Sequence, residues 1–332
     1  MKEIIGKDET GAPVHRITLR REGMRAAVLS YGAILQDLRI AGHERSLVLG
    51  YSDLQGYLSD QNYFGAMVGR VANRIRDGLA LLDGQSLQLD RNLPDGHHLH
   101  GGSEGSGRRN WRVVDHSETH VILEDTLPDG HMGYPGNLTV QVHFSLLEGQ
   151  TLSVDITAQC DALTLCNFAH HSYFNLGYAE TLTGHSLEVA ADSYVAVSAA
   201  GIPTGELRRV TGTAFDFRAG RRLMSGERYD HNLCLADQRR GLQKVASLCC
   251  PEGRTQLEIS TTEAGLQIYT GHGIKVAYDG MDRVRYGPFS GIALEPQGWP
   301  DAPNHADFPS VTLAVGETYH QKSTFRFVHP AR

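Results

Sequence analysis

Apolar and polar residues alternate along much of the chain. In residues 137–147 (NLTVQVHFSLL), every second residue from Leu138 to Leu146 is apolar, and the residues between them are polar. Residues 151–158 (TLSVDITA) repeat the alternation directly after the turn-like EGQ. Two such runs joined by a short glycine-containing connection predict an antiparallel hairpin with one face toward solvent. Similar short runs occur at residues 14–20, 120–125, 255–261, 265–270 and 323–328.

Helical periodicity is rare by comparison. The best short candidate is SDLQGYLS, residues 52–59. The 37 glycines suit a protein with many turns, and the sequence has neither a Pro/Ser-rich linker nor a repeat of fixed period. We therefore expect one all-β domain spanning residues 1–332 and built mainly from antiparallel strands.

Composition narrows the class of protein. The 332 residues are 40% apolar and 21% charged, which is enough for a sizeable core. A formal net charge of −7 argues against nucleic acid or an anionic membrane as the main partner. The five cysteines form no CxxC pair, and neither a secretory signal nor a run of about 18 apolar residues is present. We expect a reduced cytoplasmic protein.

One carboxylate interrupts an apolar run in GIALEPQGWPDAPN, residues 291–304. Burial at the end of such a run raises the pKa of Glu295 and makes it a stronger base once ionised. Pro296 and Pro300 restrict the backbone after it, and Trp299 offers a flat face for a sugar or for packing. The alternative is an edge-strand carboxylate that solvent or an arginine satisfies.

Two adjacent histidines occur in HHSYFNL, residues 170–176. Neighbouring residues of an extended segment point to opposite sides, so at most one of His170 and His171 faces a given pocket together with Tyr173. Histidine is the side chain best able to donate and accept protons near neutral pH. The alternative is a histidine that is hydrogen-bonded inside a β core.

Further polar groups lie in the loops. GRVANRI (residues 69–75) places Asn73 beside Arg74, whose guanidinium can hold two oxygens at once, although a surface arginine paired with an acid is an alternative. This segment lacks the Gly-Lys-Ser/Thr ending of a phosphate-binding P-loop. Asp230, in YDHN, can accept hydrogen bonds from two hydroxyls or simply form a turn.

The histidines of HHLHGG raise the question of a metal. His97, His98 and His100 are close in sequence, but no partner motif with zinc-ligand spacing accompanies them. We therefore expect no metal site here and favour a histidine that hydrogen-bonds a ligand hydroxyl, with Gly101 and Gly102 allowing close approach of the backbone.

Taken together, these segments resemble the aldose 1-epimerases, also called galactose mutarotases. The resemblance runs from GRVANRI through LHGG, HHSYFNL, IPTGE, FDFR and YDHN to LQIYTG and ALEPQGWPDAPN, and covers roughly residues 10–328. It implies a large antiparallel β-sandwich, the galactose mutarotase-like supersandwich. This agrees with the fold class expected from the period-two pattern.

The resemblance also implies roles for individual residues. Glu295 matches the general base, and His171 matches the general acid because it immediately precedes Ser-Tyr-Phe-Asn-Leu. Gln297 is added from its own position, two residues past the base and on the same side if the chain stays extended. The positions that match contacts to the sugar hydroxyls and ring oxygen are Asn73, Arg74, His100, Asp230 and Gln267.

Three positions depart from the family pattern. His170 stands where asparagine usually precedes the motif histidine, His272 where asparagine is common, and Phe289 where histidine often occurs. These departures leave the implied acid and base in place and concern their surroundings.

The implied reaction interconverts the α and β anomers of free hexoses such as glucose and galactose. It needs a base at the C1 hydroxyl and an acid at the ring oxygen, and the resemblance implies neither cofactor nor metal. The expected partner is a monosaccharide, with no nucleic acid and no membrane, and the chain is expected to be a monomer or homodimer.

Three alternatives remain at this point. A glycosidase would need two carboxylates across the scissile bond, for which Glu295 and Asp230 are the candidate pair. A non-catalytic sugar-binding protein would need neither acid nor base. An epimerase of the same fold acting on a hexose 6-phosphate or another modified sugar would favour extra arginines at the pocket, and the candidates are Arg208, Arg209, Arg221 and Arg222.

Overall fold

The computed structural model describes residues 1–59 and 62–328. Within them, helix is limited to α1 (Leu54–Ser59) and to the 3₁₀ turns Arg76–Gly78, Ser106–Arg108, His131–Gly133, Met281–Arg283 and Ala302–Asn304. The strands up to Leu99 are β1 (Lys2–Lys7), β2 (Pro13–Arg21), β3 (Met24–Leu29), β4 (Leu35–Ile40), β5 (Ala66–Val68), β6 (Arg74–Ile75), β7 (Leu79–Leu82), β8 (Gln85–Gln88) and β9 (His98–Leu99). The strands that follow are β10 (Arg112–His116), β11 (His120–Leu127), β12 (Leu138–Leu147), β13 (Thr151–Cys160), β14 (Thr164–Leu165), β15 (Ala169–His171), β16 (Tyr173–Phe174), β17 (Ser186–Val189), β18 (Ser193–Val197), β19 (Pro203–Arg209), β20 (Arg221–Arg222), β21 (Asp230–Cys234), β22 (Gln243–Cys249), β23 (Gln256–Thr261), β24 (Gly265–Tyr269), β25 (Ile292–Gln297), β26 (Thr312–Leu313) and β27 (Tyr319–Val328).

Three sheets contain most of these strands. The largest has nine strands in the order β10-β11-β12-β13-β27-β23-β22-β17-β20, the second has six in the order β16-β25-β24-β21-β18-β19, and the third is β1-β2-β3-β4. Neighbouring strands in each are antiparallel, for example β12 with β13, β24 with β25, and β2 with β3. The all-β, antiparallel prediction is confirmed.

The hairpin expected from the alternating pattern is present. β12 and β13 pair in register from Leu138 opposite Cys160 to Leu147 opposite Thr151. Val142 and Phe144 of β12 are fully buried, whereas Gln141, His143 and Ser145, which alternate with them, are partly exposed. The predicted helical segment also contains α1.

The main apolar core lies between the sheets. A single cluster of buried side chains includes Phe144 and Phe325 of the nine-stranded sheet, Leu266 and Leu294 of the six-stranded sheet, and Leu35 of the four-stranded sheet. Burial of such side chains contributes most of the free energy that stabilises a β-sandwich. The six-stranded sheet therefore has one face committed to the core.

The opposite face of the six-stranded sheet is polar. Leu266 and Leu294 point into the core, so the residues that follow them, Gln267 and Glu295, point to the other side. The register places Gln267 directly across from Glu295 on the neighbouring strand. The alternation of apolar and polar residues thus delivers a carboxylate and an amide side by side to one surface.

Helix length and the state of the cysteines bear on the membrane and redox environment. In residues 1–59 and 62–328, none of the helices has the length and apolar character needed to span a membrane. All five cysteines are free thiols.

Candidate active site

A cavity of about 560 Å³ opens on the polar face of the six-stranded sheet. It brings together side chains from distant parts of the chain, carried by β15, β21, β25 and the loop around β6. The residues selected from the sequence that line it are Asn73, Arg74, His100, His171, Asp230 and Glu295.

His171 and Glu295 face each other on the cavity wall. His171 is the last residue of β15, and Glu295 lies in the middle of β25. Their nearest atoms, His171 Nε2 and Glu295 Oε1, are 3.6 Å apart, and their side chains are 6% and 2% exposed. A base and an acid that are both buried at this separation can flank one reacting centre of a bound ligand.

Burial shifts the pKa of both members of this pair toward the neutral form. It lowers the pKa of His171 to about 4, against an opposing backbone hydrogen bond and the charge of Asp230. It raises the pKa of Glu295 well above its ordinary 4.5, with a further increase from Asp230 and an opposing effect of Arg74. Burial therefore favours a neutral imidazole and a protonated carboxyl. The physical reason is that a carboxylate and an imidazolium would both be dehydrated here.

The adjacent His170 points away from the cavity, as strand alternation predicts. Its ring packs against Phe144 and Phe325 in the core, and its Nε2 lies 3.0 Å from Ser172 Oγ. Burial, together with the neighbouring His171, lowers the pKa of His170 to about 3. His170 is thus a neutral core residue, and His171 alone of the two lines the cavity.

Asp230 is held from two sides. Arg74 Nη1 lies 3.2 Å from Asp230 Oδ2, and Gln267 Nε2 donates a hydrogen bond of 2.7 Å to Asp230 Oδ1. Arg74 does pair with an acid, but it does so on the cavity wall and keeps further donors for a ligand. Gln267 is 3% exposed and does not itself line the cavity. Gln267 therefore orients Asp230 from outside the cavity lining.

A tight turn presents His100. The backbone N–H of Asn73 donates to His100 Nδ1 at 3.1 Å, so the neutral ring carries its proton on Nε2. Burial and the nearby His171 lower the pKa of His100 well below 6.5. Asn73 and His100 adopt φ of 65° and 52°, which non-glycine residues rarely do. The next position, Gly101, must be glycine because a Cβ there would lie 1.8 Å from the Gly69 carbonyl oxygen.

Two residues of the 291–304 segment lie away from the cavity. Gln297 is fully buried, does not line the cavity, and donates to the Gly298 carbonyl at 3.3 Å. Gln297 lies two residues beyond Glu295 and pairs with Gly265 at the start of β24. This places it beyond the end of the cavity. Trp299 packs edge-on against Phe308 and donates to the Ala264 carbonyl, so its role is packing.

Aromatic side chains surround the pair. The rings of Tyr173 and Tyr63 lie 5.0 and 6.1 Å from that of His171, and both residues line the cavity. Tyr269 also lines it and was not selected from sequence. The alternation of GLQIYT contains that signal, because Tyr269 falls on the same face as Gln267. No local pattern points to Tyr63.

One of the departures from the family pattern belongs to the cavity. His272 lines it, its ring packs 4.9 Å from that of Tyr269, and its buried Nδ1 has no hydrogen-bond partner within residues 1–59 and 62–328. Phe289 packs behind it, with ring centroids 6.4 Å apart. His272 therefore offers a polar atom to a ligand at a point that sequence alone could not place.

The remaining histidines of HHLHGG face different partners. His97 Nδ1 accepts from the Asp77 backbone N–H at 2.9 Å. The ring nitrogens of His98 lie 2.7 Å from the Asp90 carbonyl oxygen and from the Tyr134 hydroxyl. Among the described residues, no group of three or more His, Cys, Asp or Glu side chains is arranged to hold a metal ion.

The arginines considered for phosphate recognition lie elsewhere. Within the described residues, the cavity lining includes Arg74 and Lys275 as its basic side chains. Arg208 pairs with Glu206, and Arg221 pairs with Glu227. Like these two, Arg209 and Arg222 are absent from the lining.

Comparisons with known proteins identify the family of the chain. The family model described as aldose 1-epimerase matches residues 15–326. The chain is 37% identical to galactose mutarotase from Rattus norvegicus, over 96% of this chain and 95% of that protein. It is 34% identical to aldose 1-epimerase from Haemophilus influenzae, over 96% of each. The structure of an aldose epimerase homologue from C. elegans superposes with a TM-score of 0.89 at 30% identity, over 95% of this chain and 99% of that one. The match spans the cavity and the scaffold alike, and the chain belongs to the aldose 1-epimerase family.

Proposed function

We propose that this enzyme is an isomerase that interconverts the α and β anomers of free hexoses, with glucose and galactose as substrates. The observation that carries the proposal is the buried pair of His171 and Glu295, 3.6 Å apart on the wall of a polar cavity. The relatives named galactose mutarotase and aldose 1-epimerase support the choice of substrate class.

In the proposed reaction, Glu295 takes the proton of the C1 hydroxyl while His171 gives a proton to the ring oxygen. The bond between C1 and the ring oxygen breaks, which leaves the open-chain aldehyde. Rotation about the C1–C2 bond exposes the other face of the aldehyde, and the same two groups then act in reverse to close the ring. Each well-placed proton transfer contributes on the order of 10²–10⁴-fold.

The pair holds the one proton that this reaction needs. A protonated Glu295 beside a neutral His171 contains as many protons as an ionised Glu295 beside a protonated His171. The reactive form therefore requires no proton from solvent, only transfer within the pair. A C1 hydroxyl that donates to the carboxylate stabilises its charge, and the adjacent imidazolium adds attraction.

The other cavity residues bind the sugar in this proposal. Asp230 accepts hydrogen bonds from sugar hydroxyls, while Arg74, the Asn73 amide and His100 Nε2–H donate them. Gln267 acts through Asp230, to which it is bonded at 2.7 Å. We assign Gln297 no contact with the sugar because it lies outside the cavity lining.

We also propose that residues 1–332 act as one domain in the cytoplasm, as a monomer or homodimer. The apolar cluster that draws on all three large sheets supports the single domain, and the five free cysteines suit a reducing compartment.

Polarimetry tests the proposed reaction. The purified protein should speed the change in optical rotation of fresh α-D-glucose and α-D-galactose. His171→Asn should abolish most of that activity, because asparagine cannot deliver the proton. His320→Asn is the matched control, since this exposed histidine pairs with Asp155 on the nine-stranded sheet.

Polarimetry, together with a binding measurement and a test of glycoside hydrolysis, separates the alternatives. Faster mutarotation of α-D-glucose 6-phosphate, without faster mutarotation of free hexoses, would favour the phosphorylated substrate. A wild-type rate equal to that of buffer, with tight binding of the sugar, would favour a non-catalytic binding protein. Release of glucose from a glycoside would favour a glycosidase.

A further inference from the structure

The carboxylate of Glu295 has few direct contacts that fix its position. Its Oε1 lies 3.6 Å from His171 Nε2, and its buried Oε2 has no hydrogen-bond partner among the described residues. The backbone of β25 must therefore set its position. Pairing with β24 holds one edge of β25, and because the next residue, Pro296, has no N–H, its carbonyl is the one backbone group that it can offer to a further element.

Gln321 makes a hydrogen bond to that carbonyl. Its Nε2 donates to the Pro296 carbonyl at 2.8 Å, and its Oε1 accepts from the Tyr319 hydroxyl at 2.9 Å. Both residues lie on β27, and each is 2% exposed. Hydrogen bonds in such a dry environment are stronger than those at the surface.

The Tyr319 hydroxyl reaches the other catalytic segment as well. It accepts the backbone N–H of Phe168 at 3.0 Å, and Phe168 lies three residues before His171. Because this N–H approaches the hydroxyl oxygen, the single hydroxyl proton is directed to Gln321 Oε1. That leaves the Gln321 amide nitrogen for Pro296. Three consecutive hydrogen bonds thus connect the backbone next to Glu295 with the backbone leading to His171.

The ring of Tyr319 is itself fixed. The Arg239 guanidinium lies 4.2 Å from the ring centroid, and Arg239 Nε is 2.7 Å from Glu263 Oε1. Burial raises the pKa of Tyr319 well above 10, so the hydroxyl keeps the proton that it donates. Neither Tyr319 nor Gln321 lines the cavity.

We propose that Tyr319 and Gln321 are positioning residues that set the distance between His171 and Glu295. Their role rests on the proposed function of that pair in proton transfer. A displacement of the base by about 1 Å can cost on the order of 10²-fold in rate, so a connection of this kind acts on the chemical step.

Tyr319→Phe removes the hydroxyl and leaves the ring. We expect kcat to fall about 10-fold to 10²-fold while KM changes by about twofold or less, because the sugar-binding residues are untouched. Tyr286→Phe is the matched control. Its buried hydroxyl also accepts a backbone N–H, from Met281 at 3.1 Å, and donates to a backbone carbonyl, that of Gly50 at 3.2 Å, and both partners lie outside β15 and β25.

A double-mutant cycle tests whether the hydrogen bonds act as one connection. Gln321→Met keeps an unbranched side chain and should lower kcat like Tyr319→Phe, and the double variant should be no slower than the slower single variant. Equal kcat losses in Tyr319→Phe and Tyr286→Phe would overturn the proposal, as would additive losses in the cycle. If Tyr319→Phe does not fold, Gln321→Met alone decides by the same split of kcat and KM.

Crystal structures of the variants give a readout that does not depend on the reaction. We expect the separation of His171 Nε2 and Glu295 Oε1 to move from 3.6 Å in Tyr319→Phe and in Gln321→Met, and to be preserved in Tyr286→Phe. An unchanged separation overturns the positioning role even if the enzyme is active. A wild-type protein without mutarotation refutes the proposed function, and the crystallographic comparison still decides the positioning role.

Discussion

The nine-stranded and the six-stranded sheets share one pattern of alternating residues but place their polar faces in opposite environments. In β12, Thr139 is exposed, and Gln141 and His143 are partly exposed beside the buried Phe144. In β25, every residue is buried, including Glu295. The alternation therefore tells which residues share a face, but not whether that face meets solvent.

The difference changes what a carboxylate can do. Glu258, on the outer face of the nine-stranded sheet, pairs with Lys244 and Arg326 and is 22% exposed. The side chain of Glu295 is 2% exposed, and its carboxylate lies 3.6 Å from the imidazole of His171. A dehydrated carboxylate beside an imidazole can exchange a proton with it near neutral pH.

The largest effect we expect comes from removing the buried carboxylate. Glu295→Gln should lower kcat on the order of 10²–10⁴-fold, because the amide cannot accept the proton of the C1 hydroxyl. Glu258→Gln is the control on the other sheet and should leave kcat unchanged. Polarimetry with α-D-galactose measures both. A Glu295→Gln enzyme with a rate close to wild type would remove Glu295 from the chemistry.

The pH dependence follows from the same dehydration. A second proton on the pair must create a buried imidazolium, so the acid limb should lie below the ordinary 6.5 of histidine, near the lowered pKa of His171 of about 4. Loss of the last proton must create a buried carboxylate, so the basic limb should lie well above 4.5, as the raised pKa of Glu295 indicates. Because His171 and Glu295 interact, the apparent pKa of each limb describes the pair and not either residue alone.

Measuring kcat/KM against pH, after subtracting spontaneous mutarotation, checks this expectation. The rate should change about tenfold per pH unit beyond each limb. An acid limb at 6.5 or above would mean that His171 titrates as a hydrated imidazole, which the buried geometry does not allow.

The fold was largely predictable because period-two alternation has a direct physical meaning. A strand such as β12 must bury one side, and each alternating run named from the sequence overlaps a strand. The sequence could not reveal how the strands divide among sheets. Pairings such as β13 with β27 join residues more than a hundred and fifty positions apart, and no local signal encodes them.

The site was predictable only in part, for a related reason. Glu295 and His171 stand in motifs that the family resemblance marks. Gln297 shares the alternation of Glu295, but the cavity ends before it. Tyr63 and His272 carry no marker in the local pattern, because their places on the cavity wall come from loops that pack against the sheet.

A moderate effect is expected from Asp230, which faces the cavity but not the reacting bonds. Asp230→Asn removes the partner of Arg74 and a charged hydrogen-bond acceptor, which should lower kcat/KM by about 10-fold to 10²-fold, mainly through KM. The negative charge of Asp230 raises the pKa of Glu295, so the basic limb should also move to lower pH.

Asp155→Asn is the matched control on the nine-stranded sheet, where Asp155 pairs with His320 and Lys322. It should change neither KM nor the position of the basic limb. A basic limb that stays in place in Asp230→Asn would mean that the charge of Asp230 does not reach Glu295.

The smallest effect is expected from His170, which tests the two faces at adjacent positions. His170→Asn introduces the residue common in the family and leaves the cavity intact, so kcat and KM should stay within about twofold of wild type. The side chain lies between Phe144 and Phe325, so the smaller amide should cost about 1–3 kcal/mol of unfolding free energy. Polarimetry and thermal unfolding separate the two effects. A loss of kcat as large as that of His171→Asn would show that the two faces of this strand are not independent, because a change confined to the core would then reach the proton transfer.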